Sequence, residues 1–596
     1  MRRSPVTLAC VLACVLVGPP PAIAGTTAPS ARSAPVASTA TSASKSSSTA
    51  STSTNSDTPV SVAASNTPPH GRKLSSNRVL AIAARLPKMR AVHKQYRGSY
   101  SGAYLKGAFH WQVSYFSRGG KKEIGQVAID DATGRVLEQW TGFQVPWTMA
   151  RGYKGAFGRN VNALYVWLPL CVLFFAPFFD FRRPFSLLHL DLLVLLSLSV
   201  SLAFFNHAHI YASVPLAYPP LLYLLARMLA LLRRDRGDGH GGSPRPLRLL
   251  IPAPWLAIGV VFLIGFRIGL NVTDSNVIDV GYAGVIGAQR VVHGKPLYGG
   301  WPAENEHGDT YGPFNYEAYV PFQQIFGWSG KWDDLPAAHA AAVVFDLLAV
   351  ALLFLLGRRM RGPTLGVALA YAWVSYPFTL FALESNSNDT LVGVLALAVL
   401  LAASYRSTLA PAARGALAAL AGLTKFAPLA LVPLLATDGL RQIAATRRPR
   451  AFALFLLAFA ATAAIAFVPA LTHGSLHTFY ARTIDYQDNR GSPFSVWGLY
   501  DLHGWEQAVE LAAVALALVL AVVPRRADLV GLAAACAAVI LALQLGIEHW
   551  FYLYIPWFLP LVLMALLGRF SAPTEYPSGV ASESARSSLP AALASS

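Results

Sequence analysis

Acidic, basic and aromatic side chains collect in two long polar segments of this chain, residues 271–336 and 472–504. Aromatic faces stack on sugar rings, carboxylates accept hydroxyl protons, and a guanidinium neutralises a phosphate. Groups of these three kinds together suit a polar head group attached to a lipid tail. The side chains best suited to this chemistry are Asp274, Asp279, Trp301, Asp309, Tyr311, Tyr316, Arg482, Asp485, Arg490, Trp497 and His549.

Apolar runs of membrane-spanning length separate the polar segments. The 596-residue chain is 54% hydrophobic and only 13% charged, which is about half the charged fraction of a soluble protein. We therefore predict an all-α polytopic membrane protein with about eleven spans and a re-entrant hairpin. The spans are expected near residues 162–179, 186–204, 214–232, 249–270, 338–357, 364–381, 390–404, 451–470, 507–523, 529–547 and 551–567.

The formal net charge of +18 comes from short arginine clusters between the apolar runs, not from one basic patch. Such clusters mark cytoplasmic loops. If the chain starts outside, eleven crossings place every cluster in the cytoplasm and both long polar segments outside. This pattern favours the lipid bilayer as a partner and argues against nucleic acid. The clusters are Arg182–Arg183, Arg233–Arg236, Arg358–Arg361, Arg447–Arg450 and Arg525–Arg526.

One apolar stretch, Gly415–Thr437, is interrupted by Lys425 and Pro428 and has basic residues on both sides. A single crossing would place one of these basic loops outside. Two half-helices folded back on each other keep both inside, since each arm of about ten residues rises about 15 Å, half of the hydrocarbon core. We expect Lys425 near the tip of this hairpin, where a buried cation is a functional candidate.

The chain before the spans carries three further units. A basic start, a short apolar core and a small-residue site at Ala22–Ala24 predict an export signal. A Ser/Thr/Ala-rich stretch follows and predicts a disordered linker. Alternating runs at His110–Phe116 and Glu123–Ile129 then predict strands. The expected domains are a signal peptide (1–24), a linker (25–76), an extracytoplasmic α+β domain (77–146), additional transmembrane helices (160–235), a transmembrane catalytic domain (249–567) and a disordered cytoplasmic tail (568–596).

The α+β unit resembles a PepSY-type domain over about 50 residues. The resemblance rests on the stretches Trp111–Tyr115 and Gln126–Val136. It implies extracytoplasmic regulation or protease inhibition. A small unit with no independent activity is the alternative.

Six stretches of the membrane part carry a family resemblance: Asp279–Gly284, Gly294–Tyr298, Tyr311–Pro313, Gly415–Pro428, Arg490–Gly498 and His549–Tyr554. They resemble the GT-C glycosyltransferases, and within them the bacterial polyprenyl-phosphate-mannose-dependent, GT87-like group. The resemblance implies a GT-C helical bundle in the bacterial plasma membrane that moves a mannose- or arabinose-like sugar from a polyprenyl-phosphate donor to an extracytoplasmic glycan or glycolipid acceptor, usually with inversion. No cofactor is implied.

The resemblance also implies site roles. The general base of the family is an acidic residue in the first outer loop, which matches Asp279, with Asp274 as competitor. Cations stabilise the leaving phosphate, and Lys425, Arg490, Arg482 and His549 are the candidates. The remaining candidates, for sugar or acceptor binding, are Trp301, Asp309, Tyr311, Tyr316, Asp485 and Trp497.

Each role has a structural alternative. Asp279 could cap the helix that follows it, and Lys425 could pair with Glu384, Asp389 or Asp346. His549 could belong to an interfacial aromatic belt. We interpret Asp346 itself as a polar tie between helices. A divalent cation on loop carboxylates is a further alternative, with the ligands Glu304, Glu306, His307 and Asp309.

Two other functions compete with the transferase. A transporter or lipid flippase would carry its binding groups near the midplane and show internal repeats with paired broken helices. The sequence has one broken segment and a one-sided set of polar residues. A membrane-anchored sensor or assembly protein would leave the long acidic loop without a role.

Overall fold

A computed structural model describes residues 60–106, 109–116, 118, 123–141, 160–206, 210–232, 246–275, 277–302, 305, 307–328, 330, 335–440, 443–488, 492, 494–523 and 527–570. The expected signal segment, the first part of the linker, Arg490 and nearly all of the C-terminal tail lie outside these residues.

The N-terminal unit contains five strands and two helices. The strands are β1 (Val60–Val62), β2 (Tyr100–Lys106), β3 (His110–Phe116), β4 (Glu123–Asp130) and β5 (Val136–Thr141), and the helices beside them are α1 (Ser76–Ala84) and α2 (Pro87–Gln95). The bundle helices are α3 (Leu164–Phe175), α4 (Leu187–Asn206), α5 (Ile210–Leu231), α6 (Ala253–Asp274), α7 (Asp279–Val292), α8 (Pro313–Glu317), α9 (Val320–Phe326), α10 (Pro336–Arg361), α11 (Pro363–Ser375), α12 (Pro377–Glu384), α13 (Asp389–Ala403), α14 (Ala410–Thr424), α15 (Val432–Thr437), α16 (Arg448–Thr472), α17 (Leu476–Tyr480), α18 (Tyr486–Asp488), α19 (Val496–Leu499), α20 (His503–Val522), α21 (Leu529–Gly546) and α22 (Ile555–Gly568).

The small N-terminal unit is a five-stranded antiparallel sheet in chain order, with two helices packed on it. Strand β3 has the predicted bounds, and its Trp111 donates a 2.8 Å hydrogen bond from Nε1 to Asp131. The structure differs from the sequence expectation at the start of the unit: β1 pairs with β2, although Val60–Val62 falls inside the stretch expected to be a linker. The folded unit therefore begins earlier than residue 77, and its PepSY-like character stays a prediction.

Each of the eleven expected spans coincides with a helix or a bent helix pair. Among the described residues, seven helices are long and apolar enough to cross a membrane, and the pair α11–α12, bent by 59°, makes an eighth. Three shorter apolar helical segments, Leu164–Phe178, Asp389–Ala403 and Tyr552–Gly568, account for the other expected spans. This confirms the predicted polytopic helical architecture.

Helix α21 lies at the centre of the bundle. Every residue from Val530 to Gly546 is buried, as expected for a helix that is apolar on all sides. It packs against α5, α20 and α22, and the Tyr552 hydroxyl hydrogen-bonds Ser201 and Ser213 at 2.7 and 2.9 Å. The additional helices before residue 249 are therefore part of the same packed bundle.

The hairpin expected at Gly415–Thr437 is present. Helix α14 ends at Thr424, Lys425 is extended (φ −140°, ψ 146°), and a 3₁₀ turn at Ala427–Leu431 leads into α15. Arg414, near the start of the first arm, forms a 3.0 Å ion pair with Asp438, just after the second arm. Because the two ends meet, the segment returns to the side from which it started, with Lys425 at its turn.

A buried ion pair joins α6 to α10. Arg267 is fully buried and donates to both carboxylate oxygens of Asp346, at 2.6 Å from Nη2 and 3.1 Å from Nε. Trp373 donates to the same carboxylate at 2.8 Å. Asp346 is thus the polar tie between helices that we inferred from its position in the sequence.

Replacing Asp346 with alanine is expected to destabilise the protein by about 3–5 kcal/mol, because Arg267 would keep an uncompensated buried charge. Unfolding in mixed detergent micelles would measure the loss. The matched control is Asp180→Ala, which removes the partly exposed Arg248–Asp180 pair (3.8 Å) and should cost at most about 1 kcal/mol. Equal losses in the two variants would show that the Arg267–Asp346 pair adds no special stability.

Candidate active site

The first long polar segment packs against the turn between α12 and α13. The backbone N–H of Ile278 donates to Ser385 O at 3.1 Å, and Asn271 donates to Asn386 Oδ1 at 2.8 Å. A Cβ on Gly281 would lie 2.1 Å from Asn386 O, so only glycine lets α7 approach this closely. These contacts fix the start of α7, and hence Asp279, against the membrane bundle.

Lys425 is the centre of a buried site. Its Nζ lies 2.5 Å from Asp389 Oδ1, and Trp557 Nε1 donates to the same oxygen at 2.9 Å. The ammonium also faces three aromatic rings, those of Tyr311, Tyr554 and Trp557, at 5.0–5.3 Å from their centroids. We refer to these five residues as the lysine cage.

The lysine cage resolves one alternative from the sequence. Of the three carboxylates considered as partners for Lys425, Asp389 is the one that pairs with it. Lys425 is 6% exposed and Asp389 1%, so each charge compensates the other. An ammonium has three N–H donors, and the pair with Asp389 takes one of them. Phosphate binding by Lys425 stays a prediction.

Asp389, Tyr554 and Trp557 were not among the predicted site residues. Asp389 is the first residue of α13, where a carboxylate also interacts favourably with the helix dipole. The feature of the sequence that could have identified Asp389 is its position as an acidic residue at the start of an apolar run. Tyr554 and Trp557 stack with ring centroids 4.4 Å apart. Tyr554 lies in the stretch His549–Tyr554, for which an interfacial aromatic belt was the alternative, and Trp557 follows that stretch.

Asp279 and Asp274 are both exposed, but at different places. Asp279 is the first residue of α7, and the residue in the capping position is Ile278. The alternative that Asp279 is the N-cap is therefore wrong, although its charge still lies in the first turn. Its backbone carbonyl accepts a 2.8 Å hydrogen bond from Asn305. Asp274 ends α6 and accepts a hydrogen bond from Asn160.

Asp309 and Arg482 contact each other. Arg482 donates from Nε and Nη2 to the two oxygens of Asp309, at 2.8 and 2.9 Å, and the Gly299 N–H donates to Asp309 at 2.6 Å. Asp309 is completely buried. This ion pair joins the two long polar segments. Sugar or acceptor binding by Asp309 and phosphate binding by Arg482 stay predictions.

Two of the expected sugar-binding aromatics are packed inside the first polar segment. Trp301 is 7% exposed and donates to Leu297 O at 2.8 Å, and the buried Tyr316 donates to Gly308 O at 2.8 Å. Their rings contact each other at 5.6 Å. Neither ring has a free face for a sugar, so both stabilise the loop. Tyr311, which is half-buried, belongs to the lysine cage instead.

Of the C-terminal candidates, Trp497 packs a loop onto the bundle and His549 lies near the lysine cage. The Trp497 indole donates to Leu545 O at 2.8 Å and holds the loop against α21. His549 is half-buried, hydrogen-bonds Ser492 Oγ at 2.8 Å and lies with its ring 6.4 Å from that of Tyr554. It is thus next to the lysine cage. Asp485 is exposed, and Arg490 lies outside the described residues.

Of the metal set considered from the sequence, His307 and Asp309 lie in the described part of the chain, and each has another contact there. His307 stacks on Tyr486 with ring centroids 4.4 Å apart, and Asp309 pairs with Arg482. Glu304 and Glu306 lie outside the described residues. That alternative therefore gains no support.

Glu317, at the end of α8, has a buried carboxylate oxygen with no hydrogen-bond partner. Burial raises its pKa from 4.5 to about 7. Between about pH 4.5 and 7, the glutamate is protonated in the folded protein and ionised in the unfolded chain. The stability of the fold therefore falls as the pH rises through this window.

Glu317→Gln removes this ionisation and is expected to raise the melting temperature at pH 8 by about 2–4 °C. At pH 4.5 the variant and the natural protein should melt within about 1 °C of each other, because the glutamate is then neutral in the folded state. Thermal unfolding in detergent at both pH values would measure this. Equal effects at the two pH values would contradict the assigned ionisation.

The fold and the site define a polytopic helical membrane protein whose polar loops converge on a broken helix. Residues 310–546 match the family model of glycosyltransferase family 87, which confirms the predicted resemblance and supports a membrane glycosyltransferase. The matched region contains Tyr311, Asp389 and Lys425. A crystal structure of ArnT from Cupriavidus metallidurans bound to undecaprenyl phosphate is similar at 16% identity, with 53% of this chain and 77% of that chain covered and a TM-score of 0.27. A comparison with curated protein sequences gave no match.

Proposed function

We propose that this protein transfers a mannose- or arabinose-like sugar from a polyprenyl-phosphate donor to a hydroxyl of a glycan or glycolipid on the outer side of the bacterial plasma membrane. The lysine cage carries this proposal. It places a desolvated ammonium and three aromatic faces at the turn of a re-entrant hairpin. In such surroundings the attraction between a cation and a phosphate is stronger than in water.

The donor phosphate binds at Lys425 in this proposal. Two N–H groups of the ammonium remain for phosphate oxygens after the pair with Asp389 is counted. The His549 ring lies 6.4 Å from that of Tyr554, and in this proposal it supplies a further N–H. The negative charge that develops on the leaving phosphate is stabilised by these donors, which makes departure of the polyprenyl phosphate easier.

Asp279 is the general base. Its carboxylate takes the proton of the acceptor hydroxyl as the acceptor oxygen bonds to the anomeric carbon, and the bond from that carbon to the phosphate oxygen breaks. A single displacement of this kind inverts the anomeric configuration. Support comes from the exposed position of Asp279 in the first turn of α7, an element held against the bundle.

The test is a transfer assay with purified protein and a panel of radiolabelled polyprenyl-phosphate sugars. We expect labelled glycan or glycolipid from the mannose or arabinose donor, with inverted anomeric configuration by NMR. Product from nucleotide sugars alone, or from none of the donors with a panel of envelope glycolipid acceptors, would contradict the proposal. Solute uptake into proteoliposomes without any glycoside product would favour a transporter.

The side of the membrane on which the site lies is tested separately by cysteine labelling in intact cells. Lys295 lies in the exposed part of the first polar segment, and Arg358 is exposed near the end of α10. In a background without native cysteines, a membrane-impermeant maleimide should label Lys295→Cys and not Arg358→Cys. The reverse pattern would place the site in the cytoplasm and contradict the proposed topology.

A further inference from the structure

Three side chains at the start of α20 and the end of α21 point to one spot. His503, Glu506 and Glu548 each offer a ligand atom, and these atoms all lie within 4.8 Å of one another. The His503 Nδ1 is 3.4 Å from Glu506 Oε2 and 3.7 Å from Glu548 Oε1. Ligands bound tetrahedrally at about 2.1 Å from one zinc ion lie about 3.4 Å apart. The two distances from His503 are therefore close to the spacing of metal ligands, and the two carboxylates lie within 4.8 Å of each other.

A fourth carboxylate gives independent support. Glu510 follows Glu506 by four residues, on the same face of α20, and is 9% exposed. Its Oε2 is buried and has no hydrogen-bond partner in the described part of the chain. A Cβ on Gly546 would lie 2.9 Å from Glu510 Cγ, so the side chain is held against the end of α21. A bound cation would give this buried oxygen the partner that it lacks.

We propose that His503, Glu506 and Glu548, with Glu510 beside them, bind a divalent transition-metal ion of the zinc type. One imidazole nitrogen with two or three carboxylate oxygens suits zinc, whereas calcium and magnesium prefer oxygen ligands alone. The site is separate from the lysine cage and does not depend on the proposed transferase activity. Glu506 and Glu548 are 12% and 18% exposed at the side chain, and His503 is 46% exposed, which leaves a path for the ion.

The ion would hold in place the loop around Ser492, which contacts His549. The Ser492 N–H donates to Glu548 Oε1 at 3.2 Å, and Ser492 Oγ hydrogen-bonds His549 at 2.8 Å. A metal on Glu548 thus joins the start of α20, the end of α21 and the loop containing Ser492. The role is one of positioning, since the ion would act on the loop around Ser492 and not on the donor or the acceptor.

The experiment measures zinc binding directly. Full-length protein carrying a tag without histidines would be purified in detergent, stripped with EDTA and titrated with ZnCl₂, and bound zinc would be counted by mass spectrometry after gel filtration. We expect about one ion per chain, with affinity reduced at least about tenfold by His503→Ala and by Glu506→Gln. CaCl₂ at the same concentration should not compete.

His477→Ala is the matched control. His477 is exposed in the same polar segment as His503, and this variant should bind zinc as the natural protein does. Gel-filtration profiles of the metal-free variants establish that they fold. If His503→Ala does not fold, Glu510→Gln provides a further variant. Fewer than about 0.1 zinc ions per chain, or equal binding by the natural protein and the ligand variants, would overturn the proposal.

Discussion

Replacing Asp279 with asparagine is expected to lower kcat for sugar transfer by about 10²- to 10⁴-fold, the usual contribution of a general base. Asparagine has nearly the same shape but accepts no proton, so donor binding, measured as KM for the polyprenyl-phosphate sugar, should stay within about twofold. The carboxylate lies in the first turn of α7, where loss of its charge costs about 0.3–1 kcal/mol of stability, too little to unfold the protein.

Asp274→Asn is the control for this variant. Asp274 is exposed at the end of α6 and accepts a hydrogen bond from Asn160. If Asp279 is the base, the control should change kcat by less than about threefold, as for most surface substitutions. Loss of activity in Asp274→Asn together with normal activity in Asp279→Asn would assign the base to Asp274 instead.

Lys425→Met is expected to reduce kcat/KM by at least about 10²-fold, because the cation that neutralises the leaving phosphate is lost. The same change leaves Asp389 buried without its partner, which destabilises the protein by about 3–5 kcal/mol. Loss of activity in this single variant therefore has two explanations, phosphate binding and local unfolding.

The double variant Lys425→Met with Asp389→Asn separates them. It removes both charges of the buried pair, so stability should return to within about 1–2 kcal/mol of the natural protein, while transfer stays low. Circular dichroism melting and the transfer assay would be run on the same samples. Recovery of activity along with stability would show that Lys425 acts through Asp389 alone and does not bind phosphate.

The parts of this structure that follow from local pattern were predictable. Strand β3 alternates along His110–Phe116 and was placed to the residue. The break at Lys425 followed from one cation in an apolar stretch with basic residues on both sides. The apolar runs gave the spans, because the length of a helix that crosses the hydrocarbon core is fixed by the rise per residue.

The rest depends on contacts between residues far apart in the chain. Asp389 is 36 residues from Lys425 and 168 from Trp557, so no spacing rule in one sequence connects them. Asp309 and Arg482, 173 residues apart, looked like free ligands because neither position reveals its partner. Strand β1 was missed because three residues inside a Ser/Thr/Ala-rich stretch show no alternation long enough to detect.

The most direct test of the proposed function is the stoichiometry of a single turnover. Purified protein in proteoliposomes would be mixed with an equimolar amount of polyprenyl-phosphate mannose, doubly labelled in the sugar and the prenyl chain, and with acceptor glycolipid. We predict one new glycoside per polyprenyl phosphate released, with neither product formed by Asp279→Asn. Release of polyprenyl phosphate without a matching glycoside, or an unchanged yield from Asp279→Asn, would contradict the proposed transfer mechanism.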